Sequence, residues 1–103
     1  MGKYEAITME VNYTGDSYRT LIQLVNFIES TNTEGAGLRW LQRLESFMQK
    51  TFTNAAKIKL CHNKTFYKLN LRCIYFNDWV IAFSITENSI QIEALLHKSR
   101  ISD

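Results

Sequence analysis

The hydrophobic period of this chain changes twice, and that change limits the folds open to it. Leu21, Leu24, Val25 and Ile28 recur at i, i+3, i+4 and i+7, the stripe of a helix with one buried face. Leu41, Leu44 and Met48 repeat the pattern, with Trp40 and Phe47 widening it. From residue 69 onward the period is two: Leu69, Leu71 and Cys73 alternate with Lys68, Asn70 and Arg72. A chain that is helical in its first half and alternating in its second must pack a helical layer on a sheet.

The boundaries follow from local chemistry. Tyr4–Val11 is rich in strand formers and reads as an opening strand. Thr14-Gly15-Asp16-Ser17 breaks it, with Asp16 or Ser17 placed to cap the first helix. Ser30-Thr31-Asn32-Thr33 ends that helix, and Thr31 with Glu34 stands at capping-box spacing for the next. Thr53–Lys64 has weak periodicity and reads mostly as loop. Asn77-Asp78 suits a two-residue hairpin turn, because both residues tolerate positive φ. Trp79–Ile85 is short, apolar and β-branched, as expected of a central strand covered on both faces. Thr86–Ser89 turns the chain again. Ile90, Ile92, Ala94 and Leu96 then share one face of a last strand, opposite Gln91, Glu93, Leu95 and His97. The expected order is β-α-α-β-β-β, an α+β domain spanning residues 1–103 with a two-helix hairpin on a twisted, mainly antiparallel sheet.

Charge is uneven. The net value is +2, yet residues 57–72 hold Lys57, Lys59, Lys64, Lys68 and Arg72 with no acid, and His62 lies among them. Such a patch suits phosphate or an acidic protein, and equally a solvated face. No apolar run approaches the roughly 20 residues of a membrane span. Met1–Glu5 leads into no apolar signal core, so the expected location is cytoplasmic. There, Cys61 and Cys73 default to two free thiols. His62 beside Cys61 lacks a companion pair at zinc spacing, so neither a metal nor a cofactor is expected.

The whole order resembles the RelE/ParE superfamily of type II toxins, also called plasmid stabilisation proteins. The resemblance is carried by Leu38-Arg39-Trp40-Leu41, Phe66-Tyr67-Lys68-Leu69 and Trp79–Ile85. It is carried most specifically by Ile92–Arg100, an apolar strand running into a histidine and basic residues. It implies the toxin component of a toxin-antitoxin system, held inactive by a cognate antitoxin that wraps its helices and sheet, with a homodimer also open. RelE-like relatives cleave mRNA at the ribosome; ParE-like relatives inhibit growth by binding DNA gyrase. Many relatives carry Arg near the position of Tyr67 and Tyr near that of Phe83. Lys68 cannot clamp a phosphate as a guanidinium does, and Phe83 cannot hydrogen-bond. The departures favour the ParE-like, non-nuclease form; a toxin that has kept the fold and lost its toxicity is the third reading.

For a nuclease, His97 is the candidate acid or base, with Lys68, Arg72, Lys98 and Arg100 as phosphate or target contacts. His97 is equally a strand-end histidine that packs, and the cations equally a solvated tail and strand face. Lys68 and Arg72 share a strand face at i, i+4 in this reading, and would complete a phosphate-sized site if that face bordered His97. Trp40, Phe47 and Phe52 are core residues or, where exposed, antitoxin contacts.

Overall fold

A computed structural model describes residues 9–100. The elements are β1 (Glu10–Tyr13), α1 (Gly15–Thr31), α2 (Ala36–Thr51), α3 (Lys64–Lys68), β2 (Arg72–Phe76), β3 (Trp79–Ile85) and β4 (Ser89–His97). Two 3-10 turns, Phe52–Lys57 and Lys98–Arg100, follow α2 and β4. The fold is α+β. Among the described residues, four strands form one open mixed sheet in the order β1-β4-β3-β2, with β1 parallel to β4 and the other two pairings antiparallel. Of the strand expected over Tyr4–Val11, residues 4–8 lie outside the described residues; β1 itself starts at Glu10, beyond Met9, and runs on to Tyr13.

Helices α1 and α2 lie on one face of the sheet. Leu21 and Leu24 from α1 and Trp40, Leu44 and Met48 from α2 are buried against Ile74, Ile81, Phe83, Ile90, Ile92 and Leu95. Each such large side chain contributes about 1.5–3 kcal/mol by leaving water. Phe83 stacks edge-on against Phe52 at 4.8 Å and has no exposed surface. Arg39, Arg43 and Glu45, off the apolar stripe of α2, are exposed.

The caps differ from those expected. Thr14 rather than Asp16 or Ser17 caps α1, its hydroxyl accepting the Ser17 N–H. Ser17 is instead buried, with its Oγ 2.9 Å from the Ile92 carbonyl, which fastens the helix to β4. Thr31 and Glu34 form no capping box. The carboxylate of Glu29, reaching from α1, accepts the N–H groups of Gly35 at 2.7 Å and Gly37 at 2.9 Å. These bonds hold its pKa below the usual value, because they favour the charged form. Gly35 sits at φ 85, a left-handed conformation that glycine adopts without Cβ strain.

The second sheet face is covered at β2 and β3 by residues 58–71, which wrap around the β2 edge. Leu60 bridges to Arg72, and the Cys61 N–H donates to the Leu71 carbonyl at 2.9 Å. This antiparallel approach places the two cysteines side by side. They form a disulfide with Cα atoms 4.9 Å apart, not two free thiols. Neither cysteine's spacing nor its neighbours announces the pairing; the fold of the intervening chain creates it. Cys61, Leu71, Cys73, Val80 and Ala82 make a small second core, with Phe66 packed on it.

The segment carrying Lys68 and Leu69 is a helix and its cap, not a strand. Asn63 Oδ1 accepts the Phe66 N–H at the start of α3. At the end, Asn70 takes φ 60, its N–H bonds the Tyr67 carbonyl, and the Leu71 N–H bonds the Phe66 carbonyl. That is the Schellman arrangement, with its apolar contact between Phe66 and Leu71. Leu69, expected inward by alternation, is consequently 62% exposed.

The Asn77-Asp78 hairpin and the doubly covered strand Trp79–Ile85 form as expected, with Asn77 at φ 54. In β4 the alternation breaks. Ala82 faces Ala94 but Phe83 faces Ile92, so Glu93 is an extra, bulged residue. Beyond it the phase flips: Leu95, not Ala94 or Leu96, joins Ile90 and Ile92 in the main core. The Glu93 carboxylate accepts the Ser84 hydroxyl at 2.9 Å.

Candidate functional site

His97 ends β4 on the helix-covered side, in register with Trp79. Their rings meet edge to face at 5.3 Å. His97 Nδ1 lies 3.2 Å from the Ser99 backbone nitrogen and 2.9 Å from Ser99 Oγ. The Ser99 N–H donates to Nδ1, which helps to hold the orientation of the ring. The 3-10 turn after β4 then places Arg100 on the same groove as the ring. Together with Phe27, Trp79 and Leu95, these two residues line a groove of about 590 Å³ between α1 and the end of β4. The walls are largely apolar, and Phe27 is 62% exposed at its rim. The groove thus pairs aromatic surface with one guanidinium and one imidazole. That composition fits the apolar side of a peptide segment carrying an acidic group.

The other candidate cations are elsewhere. Lys98 is held to the β2–β3 turn: its Nζ lies 3.2 Å from Asp78 Oδ1, and its N–H donates to the Asp78 carbonyl. Both side chains are exposed, so this pair adds little stability. Arg72 opens β2 opposite Phe83, which faces Ile92. His97 pairs with Trp79, so Arg72 stands four residues of β3 away along the sheet, roughly 13 Å at ~3.3 Å per residue, and two strands across. Its guanidinium donates to the Ile58 carbonyl, which fixes the chain leaving α2. Lys68 is on α3, over the second sheet face. The two do not share a strand face, and the phosphate-sized cluster of Lys68, Arg72 and His97 is not assembled.

Of the two readings open for the aromatic candidates on α2 and the turn after it, the structure places them in or against the core. Trp40 and Phe52 are buried and Phe47 is half-buried, with Trp40 and Phe47 both packed on Phe76. None of the three is an open docking surface. Exposed Phe27 and half-buried Trp79 line the His97 groove instead. Phe27 lies off the apolar stripe of α1, a signal available in the sequence; Trp79 was hidden within a strand read as wholly core.

A second recess, of about 470 Å³, lies between β1 and α2 and includes Tyr13, Glu45 and Met48. Burial, and then the charge of Glu45, push the Tyr13 phenol up to about 12. Among the described residues no group of three or more His, Cys, Asp or Glu side chains is placed to hold a metal ion. No helix among them is long and apolar enough to cross a membrane. No family model matches the chain, and no curated protein matches it.

Proposed function

We propose that this chain is the toxin component of a type II toxin-antitoxin (plasmid stabilisation) system: a ParE-like growth inhibitor that acts by binding its target, with DNA gyrase as the candidate. The resemblance to the RelE/ParE superfamily of Ile92–Arg100, and of the β-α-α-β-β-β order expected from the sequence, motivates the reading; the short helix α3 is an addition to that order. The observation that carries its non-nuclease form is the separation of His97 from Lys68 and Arg72. Cleavage of RNA needs an acid or base and charge stabilisation within reach of one phosphate. The groove offers one imidazole and one exposed arginine on apolar walls, a composition better suited to a protein ligand. A cognate antitoxin is the partner expected there, seating an amphipathic segment against Phe27 and Trp79.

The pairing of His97 with Arg100 in one groove favours a second reading, a RelE-like ribosome-dependent endoribonuclease. Induced expression separates the two. Under the binding reading, the wild-type chain arrests growth, and His97→Gln, which retains a polar side chain at the groove, arrests it nearly as well. Loss of arrest in a stably folded His97→Gln variant would favour the nuclease. Harmless accumulation of wild-type protein would overturn both.

A further inference from the structure

The basic segment 57–72 takes no part in the groove, and its geometry assigns it a separate role. Lys64, Tyr67 and Lys68 stand at i, i+3 and i+4 on α3, so they share one face of that helix. The opposite face carries Phe66, which packs on the second core. All three outward residues are exposed, Tyr67 by 57%. Lys59 and His62, on the approach to α3, are exposed as well. Among the described residues none of these cations forms an ion pair; the two ion pairs present are Arg19–Asp16 and Lys98–Asp78.

The display is also rigid. Helix α3 is capped at both ends, and the Cys61–Cys73 disulfide closes the chain that carries it. A surface lysine cluster alone would be a solvated face. An open tyrosine ring set between two lysines on a covalently closed platform is different. Lysines there can meet successive phosphates while the ring offers a stacking surface to a base.

We infer that the Lys64–Tyr67–Lys68 face of α3 binds single-stranded nucleic acid without sequence preference, at a site separate from the His97 groove. A single strand is favoured over a duplex because only unpaired bases can stack on Tyr67. It is favoured over an acidic peptide because carboxylates give the exposed ring no role. The inference does not depend on which target the groove binds.

The test is fluorescence anisotropy of the full oxidised chain, titrated into a labelled mixed-sequence DNA strand of about 20 nucleotides. Parallel arms use the same sequence as a duplex, and labelled polyglutamate. The single strand should bind best, with affinity falling as salt rises. Lys64→Gln/Lys68→Gln should weaken binding at low salt and flatten the log–log salt slope by about 1.4, two phosphate contacts at ~0.7 each. Tyr67→Leu should weaken binding roughly tenfold with the slope unchanged, and Tyr67→Phe should restore it. These positions are exposed, and matching thermal melts check that each variant folds. Three results would overturn the assignment: no binding of the single strand at low salt, binding indifferent to all the substitutions, or duplex bound as tightly as single strand. Polyglutamate bound more tightly than DNA, and dependent on Lys64 and Lys68, would overturn it in favour of an acidic protein partner.

Discussion

Reducing the Cys61–Cys73 disulfide should cost the protein about 3 kcal/mol. The bond joins residues 12 apart in sequence. A cross-link of that span removes about 9.5 cal/mol/K of chain entropy from the unfolded state, or about 3 kcal/mol at 25 °C. For a domain of this size that corresponds to a fall in melting temperature of roughly 10–20 °C. The direct assay is urea unfolding of the oxidised chain beside the same chain reduced with dithiothreitol, the midpoint dropping by about 1–3 M. Cys61→Ala/Cys73→Ala should behave like the reduced protein, less a further penalty for the lost packing of a sulfur that is 1% exposed at Cys61. Burial also requires the segment to open before a reductant reaches the bond, so reduction of the native protein should be slow and accelerate in urea. The reasoning fails if the oxidised and reduced curves coincide. It fails equally if iodoacetamide alkylates two thiols in protein never exposed to reductant. The same alkylation on protein quenched inside cells bears on location, because disulfides persist mainly in oxidising compartments.

Two further substitutions probe how the helices meet. Glu29→Gln weakens the acceptor that caps α2, so it should lower the melting temperature at neutral pH. The wild-type carboxyl is held below its ordinary 4.5, so this contribution is present above that value and is lost as pH falls through the lower folded-state pKa. The gap between wild type and variant should therefore close in acid, and a pH-independent gap would refute the assignment. Gly37→Ala would place a Cβ 2.6 Å from the Val25 carbonyl oxygen of α1 and should cost about 1–3 kcal/mol in chemical unfolding. Gly15→Ala meets nothing within 4 Å at the start of α1 and should be neutral or stabilising by up to about 1 kcal/mol.

The helical hairpin was legible because Leu21, Leu24, Leu44 and Met48 are long-range repeats that only one buried face satisfies. Trp79–Ile85 was legible because a nearly continuous apolar run, broken only by Ser84, calls for cover on both faces. The errors arose where a few residues outweigh a pattern. Asn63 and Asn70 cap a single turn of helix, and that turn removes Lys68 and Leu69 from the strand that alternation assigns them. One bulged residue, Glu93, inverts every later side chain in β4, placing Leu95 in the core. Of the candidate site, His97 and Arg100 were legible as a pair because they lie three residues apart. The placement of Arg72 was not, since it depends on the β2–β3–β4 register, and the disulfide depends on the path of residues 61–73. Phe27 lies off the stripe that defines its helix, so periodicity gives it no role, and the same placement leaves its ring exposed.

The most direct test of the central claim is pulse-labelling of DNA and protein synthesis after inducing this chain alone in growing bacteria. A growth inhibitor that binds gyrase should stop DNA synthesis first, with translation continuing until the cells run down. Arrest of translation within minutes, ahead of any effect on DNA synthesis, would contradict the account and assign the groove to the ribosome.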